Sequence, residues 1–239
     1  MRFALALALL LASAAHAADR VDAARRAKGQ AVKDAFKAAG VAYPAKEMLL
    51  RAFKAEKELE VWAGPKGKPL TRVKTIPFCY ASGELGPKRV QGDAQVPEGF
   101  YVVDRYNPTS SFLLSLRVSY PNDSDRVLGV KNRLGGDIYI HGSCASIGCI
   151  AIEDGPIQEL YLMALDAREA GATVGVHLFP RRLDDAGLAA LEKAPGATAE
   201  LVSFWKGLQP GYLLFEQSRR PPRVTVDPRT GAYRFQPGK

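Results

Sequence analysis

The segment DIYIHGSCASIGCIAIED, residues 137–154, contains the side chains best suited to chemistry. It places His141, Cys144 and Cys149 within nine residues, and the whole chain has three histidines and three cysteines. A cysteine attacks as the thiolate, and a nearby histidine or a set of backbone N–H groups lowers the pKa of its thiol. The segment therefore suits acyl transfer through a thioester, with Cys149 as nucleophile and His141 as base.

The loop between these two residues is rich in small side chains. Gly142 and Gly148 allow tight turns, so the loop can fold back and bring the imidazole to the sulfur. The backbone N–H groups around Gly148 and Cys149 can face a developing oxyanion. Ser146 is a candidate contact for substrate, or a residue whose hydroxyl only satisfies the loop backbone.

Other uses of the same residues stay open. A structural zinc ion could bind His141, Cys144 and Cys149, but zinc takes four ligands, usually in two paired clusters, and the sequence has no second cluster. A Cys144–Cys149 disulfide would close a very short loop, whereas a Cys79–Cys144 bond leaves Cys149 free. A lone cysteine also packs as a small hydrophobic side chain.

The elements around the segment follow from its periodicity. Residues 137–141 predict a strand with Tyr139 and His141 on the face opposite the isoleucines, and residues 111–120 alternate as a half-buried strand. Residues 154–171 predict a helix, and 173–179 predict a closing strand, so His177 is taken as structural. Tyr106, Tyr120 and Asn122 are interpreted as packing and turn residues rather than substrate contacts.

The rest of the chain predicts helices at both ends. Residues 22–39 and 44–58 have helical patterns, and β-rich runs begin at residue 59. After residue 181, two short helical patterns precede a hairpin at residues 221–235.

The N-terminus has the pattern of a secretory signal peptide. Arg2 precedes an apolar run of about ten residues, and Ala15-His16-Ala17 has the A-x-A cleavage pattern. Cleavage after Ala17 would remove His16 and leave 222 of the 239 residues with a net charge of +7, one less than the +8 of the full chain. An uncleaved membrane anchor is the alternative.

A basic exported protein favours anionic surroundings such as cell-wall polymer or lipid headgroups. No nucleic-acid motif is present in the sequence.

IHG followed by SIGC resembles the signature of the L,D-transpeptidase (YkuD-type) catalytic domain, most closely its YafK-like branch. Residues 82–108 and 115–122 are also similar to segments of that family, and the resemblance extends over about residues 56–180. It implies a nucleophilic Cys149, a general base His141 and a Gly142 carbonyl that holds the imidazole. It also implies an oxyanion hole formed by the N–H groups of Gly148 and Cys149.

Two positions depart from the common family pattern. Many members have Ser-His-Gly-Cys and an arginine two residues after the cysteine, where this chain has Ile147 and Ala151. The gap of eight residues from His141 to Cys149 is also short. The branch is known for hydrolysis that cuts a protein from the stem peptide as well as for transpeptidation, so both activities remain alternatives, and a non-catalytic wall-binding protein is a third.

The sequence as a whole predicts an exported α+β protein of the periplasm or cell envelope. Its core is expected to be a mainly antiparallel β-sandwich or partly open barrel, with helical extensions. The predicted organisation is a signal peptide at 1–17, a helical segment at 18–55, a catalytic domain at 56–180 and an extension at 181–239. The expected partners are peptidoglycan stem peptides and a wall-linked protein; a monomer, no cofactor and no metal are expected. Cys144 is expected to be non-catalytic, with either a Cys79–Cys144 bond or two free thiols.

Overall fold

The computed structural model describes the backbone of residues 2–238 and the side chains of residues 19–238. The helices and strands follow in chain order: α1 (Arg2–Ala38), β1 (Glu47–Phe53), β2 (Glu58–Gly64), β3 (Thr71–Pro77), β4 (Tyr80–Ala81), β5 (Gly99–Asn107), β6 (Ser115–Val118), α2 (Asp123–Leu128), β7 (Tyr139–His141), β8 (Ile150–Ala151), α3 (Asp154–Glu169), β9 (Val174–Phe179), α4 (Asp185–Glu192), α5 (Ala199–Ser218), β10 (Arg223–Val226) and β11 (Tyr233–Gln236).

Nine of these strands form one curled sheet in the order β3-β2-β1-β9-β5-β6-β7-β8-β4. The β1–β9 and β7–β8 pairs are parallel, and the other six neighbouring pairs are antiparallel. The sheet curls into a half-open barrel with helices packed against it. The expected α+β fold with a mainly antiparallel, partly open barrel is confirmed.

The helix expected at residues 44–58 is wrong, because this stretch contains strand β1. Met48, Leu50 and Ala52 face the main core with α1 and α3, while Leu49 and Phe53 face α5. A strand that is buried on both faces has no alternation of apolar and polar residues, so periodicity alone does not separate it from a buried helix. The helical pattern of residues 44–58 favoured a helix, and tertiary burial overrides that propensity.

Two further expectations needed correction in length. The strand expected over residues 111–120 extends only from Ser115 to Val118, because Leu113 has a φ of 68° and lies in a turn. The second short helix expected in the C-terminal extension is α5, which has 20 residues and continues through Pro210. The hairpin expected at residues 221–235 is present as β10 and β11.

Helix α1 packs against α3 over the concave side of the sheet. The helix expected at residues 22–39 forms part of α1, where Ala24, Val32 and Phe36 are fully buried. The side chains of the predicted signal peptide, residues 1–17, and that of His16 lie outside the described residues. Among the residues that the structure describes, no helix is both long enough and apolar enough to cross a membrane.

An aromatic core lies on the other side of β9, between the sheet and the C-terminal elements. Phe179 packs against Tyr212 of α5, and Phe100 packs against Phe235 of the hairpin. The two phenylalanine rings also contact each other. His177 of β9 packs edge-on against Phe100 with ring centroids 4.7 Å apart. Residues from Leu183 to Phe235 therefore contribute to a core that they share with the sheet.

Candidate active site

The parallel β7–β8 pair brings the two predicted reactive residues together. Ile140 is paired with Ile150 and His141 with Ala151, so Cys149 lies opposite Tyr139 just before β8 begins. Because side chains alternate along a strand, His141 and Cys149 project from the same face of the sheet. Both line one pocket of ≈ 300 Å³. The isoleucines at 140 and 150 project into the core on the opposite face.

The His141 imidazole is held on two sides. Its Nδ1 lies 2.6 Å from the carbonyl oxygen of Gly142, and its ring stacks on Phe112 with centroids 4.4 Å apart. A carbonyl oxygen can only accept, so Nδ1 carries the proton and Nε2 is left with the free lone pair. His141 therefore has the tautomer that a general base requires.

The Cys149 side chain is half-buried, and backbone groups at the start of the neighbouring strand β7 contact its sulfur. The Tyr139 N–H donates to Cys149 Sγ at 3.4 Å, and Sγ lies 3.6 Å from the carbonyl oxygen of Asp137. The Tyr139 N–H can stabilise a thiolate on Cys149, and the Asp137 carbonyl oxygen can accept a hydrogen bond from the thiol. The sulfur thus has partners in both protonation states.

Burial sets the resting charge of the pair. It raises the pKa of the Cys149 thiol above its ordinary value, and the hydrogen bonds from Tyr139 and Ser146 oppose this shift without reversing it. Burial also lowers the pKa of His141 below its ordinary 6.5. The general expectation of a thiol pKa lowered by its neighbours is therefore not met here. At neutral pH the pair is a thiol beside a neutral imidazole.

The turn after His141 is packed too closely for any side chain at Gly142. A Cβ at this position would lie 2.6 Å from Asp154 Oδ1 and 2.8 Å from the Phe112 carbonyl oxygen. Asp154 also accepts a hydrogen bond from the Ser143 N–H at 2.8 Å. The first turn of α3 thus fixes the carbonyl that orients the imidazole.

Both N–H groups that are expected to form the oxyanion hole donate hydrogen bonds to serine hydroxyls. Gly148 N–H donates to Ser82 Oγ at 2.5 Å, and Cys149 N–H donates to Ser146 Oγ at 2.9 Å. Ser146 Oγ also donates to the Cys149 carbonyl at 2.8 Å, so its hydroxyl satisfies the loop backbone. Gly148 has a φ of 88°, a left-handed conformation that favours glycine.

Cys79 and Cys144 form a disulfide, with Cα atoms 5.5 Å apart. The two are adjacent because β4 pairs with β8, and the Cys79 N–H donates to Ala151. Cys149 is a free thiol. The alternative of two free thiols is therefore wrong.

The disulfide removes Cys144 as a ligand for the zinc alternative. Within the described side chains, the one group with suitable metal ligands is Cys79, Cys144 and Glu153, and two of its members are the bonded sulfurs.

The tyrosines, Asn122 and His177 have structural contacts. Tyr106 packs on Tyr161, the Tyr120 hydroxyl donates to the Leu134 carbonyl, and Asn122 caps α2. His177 is buried in the aromatic core. These contacts agree with their interpretation as packing and turn residues, and the absence of substrate contact stays a prediction.

The sequence patterns did not identify three neighbours of the reactive pair. These are Ser82, Phe112 and Asp154, whose carboxylate packs against Gly142. Asp154 is the first residue of α3, and the N-cap residue Glu153 makes no side-chain capping bond. Ser82 is 67 residues before Cys149 and Phe112 is 29 before His141, so no local pattern relates them to the motif.

Comparison with known proteins assigns the chain to a family. A model of the YkuD L,D-transpeptidase catalytic domain matches residues 52–176. The protein YafK of Escherichia coli (strain K12) is 34% identical over 180 residues, which cover 74% of this chain and 70% of YafK. The YafK of Escherichia coli O157:H7 matches to the same extent. The chain belongs to the YkuD family of L,D-transpeptidase catalytic domains.

Two solved structures match at lower similarity. The helical cell shape determining protein Pgp2 from Campylobacter jejuni is 18% identical with a TM-score of 0.45, covering 75% of this chain and 72% of that chain. Bd1075 of Bdellovibrio bacteriovorus is 16% identical with a TM-score of 0.41, covering 75% of this chain and 77% of that chain.

Proposed function

We propose that this protein is an exported enzyme that modifies peptidoglycan stem peptides through a thioester on Cys149. Family membership supports a peptidoglycan-acting enzyme. The observation that carries the proposal is the shared face of β7 and β8, where a free thiol and a correctly tautomerised imidazole line one pocket.

The reaction begins from the neutral pair. His141 Nε2 takes the thiol proton as Cys149 Sγ attacks the peptide carbonyl carbon, and the Tyr139 N–H stabilises the developing thiolate. The tetrahedral intermediate collapses to a thioester, and the imidazolium returns the proton to the leaving amine. Water or an amine then attacks the thioester, His141 takes its proton, and the thiol is regenerated.

The oxyanion needs donors that are occupied at rest. The N–H groups of Gly148 and Cys149 can form the oxyanion hole only if they release the Ser82 and Ser146 hydroxyls and donate to the substrate oxygen instead. Rotation of the Ser82 and Ser146 side chains about χ1 would move their oxygens away and leave the two N–H groups for the substrate oxygen. Ser146 would then contact substrate in the intermediate as well as satisfying the loop at rest.

Hydrolysis is the second candidate activity, and the residue at position 151 favours it. Where many family members have an arginine, Ala151 is fully buried and pairs with His141 and Tyr80 in the sheet. The pocket wall has Asp137 as its one carboxylate and no lysine or arginine among its described lining residues. A site without that arginine is less specialised for a second peptide chain, so water can compete for the thioester.

The remaining features of the proposal concern location and partners. The signal-peptide pattern supports export to the periplasm or cell envelope, where the positive charge of the protein favours an anionic polymer. The proposed oligomeric state is a monomer. Stem peptides are the proposed substrates, and a wall-linked protein is a proposed leaving group. The catalytic unit is the segment from about residue 56 to 180, extended at both ends by elements that complete its core.

Purified muropeptides test the activity directly. The protein and its Cys149→Ala variant are incubated with mono- and dimeric muropeptides and with protein-linked stem peptides, and the products are identified by mass. Cross-linked products support transpeptidation, and shortened peptides or released protein support hydrolysis; in both cases the variant forms none. Tight binding to peptidoglycan without any product would refute the enzyme and support the wall-binding alternative.

A further inference from the structure

The segment Ser110–Leu113 forms one wall of the active-site pocket. Phe112 projects from it onto the His141 imidazole in a stacked arrangement with 24° between the ring planes, although 39% of Phe112 remains exposed. Leu113 has a φ of 68°, a conformation that is strained for a residue with a Cβ. Such a turn needs contacts from elsewhere to stay in this conformation.

Arg20 of α1 supplies those contacts. Its guanidinium Nη1 donates to the Ser110 carbonyl oxygen at 2.7 Å and to the Leu113 carbonyl oxygen at 3.1 Å. The two acceptors flank Phe112 on either side in sequence. One charged donor therefore closes the turn at both ends, and hydrogen bonds from a charged group are stronger than neutral ones.

The helix that carries Arg20 is firmly attached to the rest of the molecule. Arg25, five residues further on, forms a bidentate pair with Asp166 of α3 at 2.8 and 2.7 Å. Ala24, which lies between Arg20 and Arg25 in the sequence, is fully buried. The first turn of α3 also supports Gly142, so α1 and α3 together hold both contacts of the imidazole. Cleavage after Ala17 would leave Arg20 as the third residue of the mature chain.

We propose that Arg20 is a positioning residue, whose guanidinium holds the Ser110–Leu113 turn so that Phe112 stays stacked on the His141 imidazole. The consequence for catalysis rests on the proposed function, whereas the positioning itself does not. Losing the two bonds frees the turn, lets Phe112 leave the ring and admits water to His141.

The surroundings of the imidazole make this change measurable. The ionisable groups that line its pocket are Cys149, Asp137 and Tyr139, and Asp154 lies beneath the adjoining Gly142. None of them forms an ion pair with the ring in the described structure, and burial is the cause that lowers the pKa of His141. Hydration after loss of the stack moves that pKa up toward the ordinary value of about 6.5.

An NMR titration of the histidine ring signals tests the positioning without any assay of activity. The protein is expressed from the full-length chain and exported, and Arg20→Ala, Arg20→Lys and Phe112→Ala are compared with the parent. Arg26→Ala is the matched control, because Arg26 is an exposed arginine on the same helix. The buried His177 signal reports in each variant whether the core remains folded.

The expected result is a His141 pKa that rises in Arg20→Ala and Phe112→Ala, rises less in Arg20→Lys and is unchanged in Arg26→Ala. Acylation of Cys149 by a β-lactam should fall by roughly 10- to 100-fold in Arg20→Ala, because misplacement of about 1 Å costs that order of rate. A folded Arg20→Ala that titrates like the parent would overturn the proposal. A His141 pKa that rises in Arg20→Ala, together with a parent protein that shows no enzymatic turnover, would leave the positioning intact and refute only the proposed function.

Discussion

The chemistry at the level of single residues depends on burial more than on charge. In the proposed mechanism a neutral imidazole lies next to an un-ionised thiol at rest, and the thiolate forms as His141 removes the proton during the attack. The Gly142 carbonyl is central to this arrangement, because it alone fixes which ring nitrogen carries the proton. Two predictions belong to this scale.

His141→Ala should slow acylation by about 10²–10⁴-fold at neutral pH, the usual contribution of a general base. In the parent, the rate falls with decreasing pH as His141 becomes protonated, and this limb lies below pH 6.5 because burial lowers its pKa. The variant should lack that limb and gain rate as hydroxide ionises the thiol. The measurement is the pH profile of acylation, and identical profiles for the two proteins would refute the role.

Gly142→Ala should destabilise the protein by about 1–3 kcal/mol and reduce acylation, because the new methyl group would clash with Asp154 and the Phe112 carbonyl. Gly136→Ala is the control, since a Cβ at Gly136 has nothing within 4 Å. Urea unfolding and acylation rates of both variants provide the measurement. Equal behaviour of the two would contradict the packing described around Gly142.

Sequence patterns identified His141, Gly142 and Cys149 because these residues are close in the chain and chemically unusual. The same patterns could not identify Ser82, Phe112 or Arg20. Their contacts with the site depend on the sheet order and on a helix packed across it, and a serine, a phenylalanine or an arginine in a loop or helix has no distinctive local signal.

At the scale of elements, the β4–β8–β7 edge of the sheet organises the site. The parallel β7–β8 pair sets the relative position of His141 and Cys149, and the disulfide next to β4 ties the intervening loop to residue 79. Cys144 is thereby withheld from Cys149, with which it could otherwise form an inactivating bond.

The exported protein should contain one free thiol when it is denatured without reductant, because Cys149 alone is unpaired. Thiol counting with and without reductant measures this directly. Cys144→Ser should lower stability by roughly 2–4 kcal/mol, since the bond closes a long loop in the unfolded chain. Three free thiols in the unreduced parent would exclude the disulfide.

The elements themselves were predicted unevenly. The strand ending at His141, the helix after residue 154 and the closing strand were expected from their periodicity and are present. Strand β1 was missed, because it is central in the sheet and covered on both faces. Its buried Arg51 added to the error, since a charged residue in a buried strand imitates the polar face of a helix.

At the scale of the whole molecule, the helices at both ends are part of the enzyme's core. Helix α1 covers one face of the sheet together with α3, and α5 with the C-terminal hairpin covers the aromatic core. The sequence predicted these segments as extensions of the domain. Their docking could not be predicted, because it depends on which apolar faces meet in three dimensions.

His177 makes the aromatic core sensitive to acid. Burial and the nearby Arg51 lower the pKa of His177 well below 6.5, so the folded state holds it neutral while the unfolded chain binds a proton. Its contribution to stability is complete above pH 6.5 and is lost as the pH falls below that value. His177→Gln should therefore lose less stability than the parent between pH 7 and 5 in thermal unfolding. A steeper loss in the variant would contradict this account.

The most direct test of the central claim is the mass of the protein after incubation with a carbapenem, an acylating β-lactam. The parent should gain the mass of one carbapenem, and peptide mapping should locate the adduct on Cys149. Cys149→Ala should gain none while remaining folded, and His141→Ala should acylate slowly. An adduct on Cys144 or Cys79, or a Cys149→Ala variant that acylates as fast as the parent, would contradict the account.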